Sequence, residues 1–375
     1  MNHLICRSCG KTYSLNSPVW KCECGGLLDV EFEAHFDRRK IQRRKPSLWR
    51  YREAIPIADD ENIVSFDEGF TPLLEVSFGR RKVFIKQDYL FPTGSYKDRG
   101  ATVLLSKVKE LGIKEIVEDS SGNAGAAIAA YSAKAGISAR IFVPESAAPG
   151  KTAQIRSYGA ELVRVPGTRE DTSRAIMKAA ETTYYASHYW NPFFFQGTKT
   201  LVFEITEQLG WKAPDSVILP VGNGTLIIGA YIGFRDLIQS RTIDRMPKII
   251  AIQAENCSPL YQAYIRNQKE VSKVVTQKTI ADGIAIAEPV QGRKILETVR
   301  ESKGSFTAVS EDEIKTALFE MGEKGYYIEP TSAATIAGVK KYLQDAGSSE
   351  RIASTFTGSG LKETDVILRL LEEDK

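Results

Sequence analysis

A chain of 375 residues with 42% hydrophobic and 26% charged side chains predicts two globular domains with a small accessory unit, and excludes a disordered or collagen-like protein. Its 50 basic and 47 acidic side chains leave a net charge of +3, and no apolar stretch of about 18 residues is present, so neither nucleic acid nor a membrane is an expected partner. The N-terminal residues lack the apolar core of a signal peptide, and we expect a cytoplasmic protein.

Four cysteines form two turn-like pairs near the start of the chain. Cys6 and Cys9 are spaced as Cys-x2-Cys, and Cys22 and Cys24 as Cys-x-Cys. Four thiolates can close a tetrahedral zinc site, which stabilises a ribbon too small to fold by apolar burial alone. We therefore predict a structural zinc ribbon over residues 1–32. The short second spacing leaves open a lost or redox-sensitive site.

The middle of the chain begins with an irregular connector and then alternates strand and helix patterns. Residues 33–70 are interrupted by prolines, and their basic cluster at 38–45 indicates a solvated face. Short β-branched runs are then followed by helix-length segments, which predicts an α/β fold with parallel sheets. The predicted strands are 82–86, 116–118, 139–143, 162–165, 217–219 and 249–252. The predicted helices include 101–111, 124–135 and 225–237.

The first segment that indicates chemistry is Gly94-Ser95-Tyr96-Lys97-Asp98-Arg99-Gly100, directly before a predicted helix. Most lysines on a helix surface are solvated charges. Here a glycine-preceded turn places the amine of Lys97 at a helix start, whose positive end disfavours the protonated amine. Because a neutral amine condenses with an aldehyde, Lys97 is a candidate nucleophile.

A second segment, Ser120-Ser121-Gly122-Asn123, lies between a predicted strand and an alanine-rich helix. Small hydroxyls and backbone N–H groups at a helix N-terminus suit a carboxylate ligand. The same residues could equally form an ordinary helix cap. Both interpretations stay open on this motif alone.

A third segment, Gly222-Asn223-Gly224-Thr225, also joins a predicted strand to a helix. Glycines let N–H groups approach a phosphate closely, although such turns also occur for packing reasons. Neither the Gly-x-Gly-x-x-Gly spacing of dinucleotide-binding folds nor the Gly-Lys-Ser/Thr ending of a P-loop is present.

These segments, together with Thr357-Gly358-Ser359-Gly360-Leu361-Lys362, resemble in order and spacing the fold-type-II pyridoxal-phosphate (PLP) enzymes, and among them the threonine synthases. Further matches lie at 67–73, 149–151, 191–192, 197–200 and 329–334. The resemblance covers nearly the whole chain. It implies a two-domain fold of the tryptophan synthase β type, with a zinc ribbon at 1–32, a large PLP-binding domain at 33–100 and 200–375, and a small α/β domain at 101–199.

The resemblance also implies a role for each site residue. Lys97 would hold PLP as a Schiff base and move protons at the substrate's α and neighbouring carbons. The expected cofactor contacts are Asn123 at the ring hydroxyl, Gly222, Asn223, Gly224 and Thr225 at the phosphate, and Thr357 at the pyridine nitrogen. Ser120, Ser121 and Gly122 would receive the substrate carboxylate. The implied enzyme is a homodimeric lyase of threonine biosynthesis that converts O-phosphohomoserine and water to threonine and phosphate.

The expected substrate-phosphate subsite departs from the family pattern. Phe194 stands where the resemblance places an arginine after Asn-Pro, while Ala124 and Leu226 replace polar residues. His188 is the histidine expected near the site, and Lys151 or Lys199 could supply the missing charge. A threonine or serine ammonia-lyase, or a β-replacement enzyme, is therefore the alternative function. A sensor that keeps the PLP fold is the non-enzyme alternative, and the presence of Lys97 argues against it.

Overall fold

The structure is a computed structural model that describes residues 2–147, 149–167 and 169–373. The strands are β1 (His3–Cys6), β2 (Thr12–Ser14), β3 (Leu28–Glu31), β4 (Leu73–Phe78), β5 (Arg81–Lys86), β6 (Glu115–Glu118), β7 (Ser138–Pro144), β8 (Glu161–Val165), β9 (Tyr184–Tyr185), β10 (Ser216–Pro220), β11 (Lys248–Ala254), β12 (Ser305–Val309) and β13 (Ile352–Thr355). The helices are α1 (Arg38–Arg43), α2 (Lys97–Glu110), α3 (Asn123–Ala135), α4 (Pro149–Ser157), α5 (Arg169–Ala179), α6 (Pro192–Thr198), α7 (Thr200–Gln208), α8 (Thr225–Gln239), α9 (Pro259–Ile265), α10 (Gly292–Glu301), α11 (Glu311–Glu323), α12 (Pro330–Asp345) and α13 (Thr364–Glu373).

The chain divides into two compact units, one of residues 1–69 and 97–200 and the other of residues 70–96 and 201–375. The sequence analysis assigns the connector at 33–69 to the larger domain, whereas in the structure it belongs to the first unit. Side chains of α2 explain this placement. Ser106 Oγ accepts from Val64 N at 2.8 Å, and Thr102 Oγ1 accepts from Trp49 Nε1 at 3.0 Å.

The first unit contains a parallel sheet in the order β8-β7-β6-β9 and a separate antiparallel sheet in the order β2-β1-β3. Helix α3 buries five alanine side chains, at positions 124, 126, 127, 129 and 130, which lets it approach the parallel sheet closely. The strand Ile116–Glu118 and the helix Ala124–Ala135 predicted from sequence are confirmed to within a residue.

The second unit contains a six-stranded sheet in the order β12-β11-β10-β13-β5-β4. All five residues of β10 and all four of β13 are buried, as expected for a parallel sheet covered on both faces. The edge strand β4 runs antiparallel to β5, contrary to the all-parallel expectation. The reason is local, because β4 and β5 are joined by the two residues Gly79 and Arg80, and so short a connection can only reverse the chain.

Three loops with predicted functional residues leave the carboxyl ends of parallel strands. One leaves β6 and enters α3, another leaves β10 and enters α8, and the third follows β13. In open α/β sheets this edge is where ligands bind. Among the described helices, none has both the length and the apolar character needed to cross a bilayer.

Candidate active site

Lys97 is the first residue of α2, and the segment before it is held within the second unit. Tyr96 N donates to Thr357 O at 2.9 Å, and the Tyr96 hydroxyl is 2.8 Å from Thr225 Oγ1. Gly94 has φ +81°, a backbone conformation that glycine adopts at low cost. The residue before Lys97 is thus bonded to two residues predicted to bind the cofactor.

The glycine turn after β10 leaves no room for side chains. A Cβ on Gly224 (φ +82°) would lie 2.4 Å from Ile295 Cδ1, and one on Gly222 would lie 3.0 Å from Ile284 Cα. Gly224 is the N-cap of α8, and no side chain caps this 15-residue helix. Because the first N–H groups of a helix lack partners inside it, this turn suits an anion such as a phosphate.

Thr357 is fully buried in a polar cluster of the second unit. Its hydroxyl donates to Glu329 Oε1 at 2.7 Å and lies 2.9 Å from Ser332 Oγ, which also accepts from Thr357 N at 2.8 Å. These bonds fix the position of the threonine hydroxyl. Sequence reasoning missed both partners, although Glu329 and Ser332 lie in the motif at 329–334.

The loop between β6 and α3 presents backbone N–H groups. The N-cap of α3 is Gly122, with no side-chain capping bond, so the side-chain helix cap considered from sequence is not formed. Gly122 N donates to Ser120 Oγ at 3.3 Å, and a Cβ on Gly125 would lie 1.9 Å from Ser120 O. Ser121 and Asn123 are half-buried. The loop therefore keeps donors available for a carboxylate.

An acidic cluster with a histidine precedes this loop in the first unit. His188 Nδ1 lies 2.6 Å from Glu118 Oε1, and the carboxylate of Asp119 accepts from the hydroxyls of Tyr185 and Tyr189. Burial raises the pKa of Glu118 well above its usual range, the charge of Asp119 raises it further, and Lys97 opposes the shift. The sequence analysis singled out His188, but assigned no role to Glu118 or Asp119.

Phe194 is part of the core of the first unit. It is fully buried, and its ring lies so close to α2 that a Cβ on Gly100 would come within 2.3 Å of Phe194 Cε1. Ala124 and Leu226, which the sequence analysis also noted, are buried in their respective units.

Lys199 and Lys151 are the two lysines that the sequence analysis considered as sources of positive charge. Lys199 is 1% exposed, with its Nζ 5.6 Å from the Phe32 ring, so it does not offer an open cation. The side chain of Lys151 lies outside the described residues.

Cys6, Cys9, Cys22 and Cys24 are brought together in the first unit. Their sulfur atoms all lie within 4.8 Å of one another, and all four cysteines are free thiols. The Cys6–Cys24 and Cys9–Cys22 sulfur pairs are each 3.6 Å apart. A tetrahedral zinc site with Zn–S bonds of about 2.3 Å would place its sulfurs about 3.8 Å apart, so the cluster has the dimensions of such a site.

The class of protein is defined by the similarity of this chain to known families and structures. A model of the family described as pyridoxal-phosphate dependent enzyme matches residues 64–358. Among solved structures, the serine racemase of Dictyostelium discoideum superposes with a TM-score of 0.67 and 26% identity, over 77% of this chain and 92% of that one.

Curated relatives narrow the class. A threonine synthase of Methanocaldococcus jannaschii is 38% identical over 98% of this chain and 95% of its own length. One from Methanosarcina acetivorans is 35% identical over 100% of this chain and 95% of its own length. The chain therefore belongs to the threonine synthase family of pyridoxal-phosphate-dependent enzymes.

Proposed function

We propose that this chain converts O-phosphohomoserine and water to threonine and phosphate, using bound PLP. The observation that carries the proposal is the 38% identity to a threonine synthase over 98% of the chain, combined with Lys97 at the start of α2. A sensor that only binds the cofactor has no need of that amine.

The residues present fit the cofactor. The uncapped start of α8 offers backbone N–H groups to a phosphate dianion, and Gly222 and Gly224 let the turn pack against Ile284 and Ile295, where a side chain would collide. We assign the phosphate to residues 222–225, the ring hydroxyl to Asn123 and the pyridine nitrogen to Thr357. Once bound, PLP supplies an electron sink for the charge that develops at the substrate carbons.

Side chains and backbone N–H groups of the chain carry out the proton transfers and bind the substrate. Lys97 takes and returns protons at the substrate's α and neighbouring carbons. Donors from Ser120, Ser121 and the N–H groups around Gly122 bind and orient the substrate carboxylate. The buried Thr357 hydroxyl, held by Glu329 and Ser332, would contact the pyridine nitrogen.

The second candidate function is a threonine or serine ammonia-lyase, favoured by the apolar Phe194. Phe194, however, packs on Gly100 inside the first unit. Separate incubations with O-phosphohomoserine, threonine and serine distinguish the two. Phosphate release with threonine formation is expected, whereas 2-oxobutyrate from threonine with no turnover of the phosphorylated substrate would refute the synthase.

Lys97→Ala serves as the control for all three incubations. It should lose the visible absorbance band of the lysine-bound cofactor and should lose turnover of every substrate. A wild-type protein with no such band would contradict the cofactor assignment.

We also propose that the four cysteines bind one structural zinc ion. The sulfur spacing described above supports a closed site, and four protein ligands leave no position for a substrate. The homodimer, the cytoplasmic location and a separate ribbon at residues 1–32 stay predictions. Analytical ultracentrifugation tests the first of these.

A further inference from the structure

Trp20 lies in the predicted ribbon of residues 1–32, two positions before Cys22, yet its ring packs on the parallel sheet of the first unit. Its side chain is 7% exposed and belongs to a buried cluster with residues of β6, β7, β9 and α5, which are Val117, Phe142, Tyr185 and Ile176. Trp20 therefore anchors the ribbon on this sheet.

Two edge-on ring contacts fix the position of Trp20. Its ring centroid is 5.0 Å from that of Tyr185, with an interplanar angle of 84°, and 5.6 Å from that of Trp190, with an angle of 90°. Edge-to-face pairs at these distances are a favourable arrangement of aromatic rings. Because protein interiors are close-packed, removal of the indole would take away a neighbour of the fully buried Tyr185 ring and let that ring move.

Tyr185 connects this contact to residues 119–122, which are proposed to receive the substrate carboxylate and are here called the carboxylate loop. The Tyr185 hydroxyl donates to the carboxylate of Asp119, which also accepts from the Tyr189 hydroxyl at 2.9 Å. Tyr185 ends β9, which pairs in parallel with β6, so its side chain lies at the sheet edge where the loop begins. These two bonds hold the first residue of the carboxylate loop.

The next residue of the carboxylate loop is held by α3. A Cβ on Gly125 would lie 1.9 Å from Ser120 O, so the loop passes close to the start of that helix. Ser120 Oγ accepts from Gly122 N at 3.3 Å, and Ser121 and Gly122 are half-buried. The directions of the N–H groups in the loop therefore depend on where its first two residues are held.

We propose that Trp20 is a positioning residue for the carboxylate loop, acting through the Tyr185 hydroxyl on Asp119. The indole of the ribbon holds the Tyr185 ring, and the hydroxyl of that ring holds the carboxylate directly before Ser120. The ribbon is in this way coupled to amino-acid binding. The inference rests on the proposed function, because it concerns the loop assigned there to the substrate carboxylate.

The first test measures amino-acid affinity in the holoenzyme. Trp20→Leu, which removes the indole and keeps an apolar side chain, should raise both the KM for O-phosphohomoserine and the Kd for threonine about three- to tenfold, as for coupling through packed side chains. The Kd is measured from the change that threonine causes in the visible absorbance of the bound cofactor. The kcat should stay near its wild-type value, because the loop binds the substrate and Lys97 moves the protons.

Trp20→Phe should restore most of the lost affinity, since it keeps an aromatic ring beside Tyr185. A merely bulky apolar requirement would be met equally by leucine and phenylalanine. Wild-type KM and threonine affinity in Trp20→Leu would refute the proposal.

Tyr185→Phe tests the route of the coupling, because it keeps the ring that Trp20 contacts and removes the hydroxyl that holds Asp119. Alone it should weaken both affinities at least as much as Trp20→Leu does. In the Tyr185→Phe background, Trp20→Leu should then have little further effect, because the hydroxyl through which it acts is absent. Fold-changes that multiply independently would show that Trp20 acts by another route and would overturn the proposal.

Trp49→Leu is the matched control. Trp49 is 8% exposed and lies in the same unit, where its Nε1 donates to Thr102 Oγ1. The substitution should also lower stability in urea, but the KM and the threonine affinity should stay at wild-type values. Equal losses of affinity in Trp49→Leu and Trp20→Leu would mean a general loosening of the unit and would contradict a positioning role.

Failure of the inference and failure of the proposed function give different results. A wild type that releases no phosphate from O-phosphohomoserine refutes the function, whatever the variants do. A wild type that does release phosphate, combined with wild-type affinities in Trp20→Leu, refutes only the role of Trp20. The threonine titration needs no turnover, and a wild type whose absorbance does not respond to threonine would contradict the carboxylate loop and the inference with it.

Discussion

Replacing Gly100 with alanine tests the close approach of α6 to α2. In an exposed helix interior this change stabilises a protein by about 1 kcal/mol, because glycine has greater backbone freedom in the unfolded chain. At Gly100, however, the new methyl group would lie 2.3 to 2.4 Å from three ring atoms of Phe194, which is fully buried. Overpacking of this kind costs about 1–3 kcal/mol, and three such contacts place it at the upper end.

We therefore expect Gly100→Ala to destabilise the protein by about 2 kcal/mol net, measured by urea unfolding with tryptophan fluorescence. Gly322 in α11 is the matched control, since a Cβ there meets nothing within 4 Å. Gly322→Ala should stabilise by about 0.5–1 kcal/mol. Both substitutions add a methyl group to a helix. At Gly100 it would contact the Phe194 ring, whereas at Gly322 it would contact nothing within 4 Å.

Combining Gly100→Ala with Phe194→Ala gives a sharper test of the ring contact. Phe194→Ala alone should cost about 3–5 kcal/mol, but it leaves a cavity next to Gly100. Adding Gly100→Ala to that background should then stabilise by about 0.5–1 kcal/mol, reversing the sign seen in the wild type. If Gly100→Ala destabilises both backgrounds equally, or neither, the ring contact is not the cause and the reasoning is wrong.

Three other predictions follow from the same structure. Glu204→Gln should destabilise by about 3 kcal/mol in urea, because it leaves Lys86 buried without its charged partner at 2.7 Å. The surface partner of Lys82 gives the control: Glu75→Gln should cost under about 1 kcal/mol. Phe194→Arg should lower the thermal midpoint and leave phosphate affinity no higher, because it buries a charge; tighter phosphate binding would contradict this. Elemental analysis under reducing conditions should find one zinc per chain, and a chelator that removes it should lower stability; protein purified without zinc would refute the ribbon.

The sequence predicted the elements of the sheets well because their signals are local. The run at 217–219 is β-branched and apolar, and it lies inside β10, whose five residues are all buried. The helix expected after Lys97 begins at that residue. In both places a glycine precedes the start of a helix, so neighbouring residues carried enough information.

The connector and the edge strand β4 show what local patterns omit. Residues 33–69 contain little regular structure. Their place is decided by hydrogen bonds to Thr102 and Ser106 of α2, whose partners lie 38, 42 and 53 positions earlier in the sequence. The antiparallel direction of β4 depends on the length of one turn. Periodicity describes which face of an element is buried, but not which neighbour covers it.

In the candidate site, too, some residues could be predicted from local sequence, whereas others depend on distant contacts. Lys97, Asn123 and the glycine turn at 222–225 could be named as candidates from motifs, because each lies at the start of a helix. Glu118 could not, since its partner His188 is 70 residues away and the strand that aligns the two, β9, has only two residues. So short a strand has no periodicity of its own.

Phe194 illustrates how a residue's neighbours change its interpretation. From sequence alone, phenylalanine in place of an arginine suggests an apolar substrate subsite, and hence a different substrate. In the structure the ring packs on the backbone of Gly100, one turn of α2 after Lys97. Phenylalanine at this position therefore fills the core. An apolar residue that lies in the core does not determine which ligand is bound.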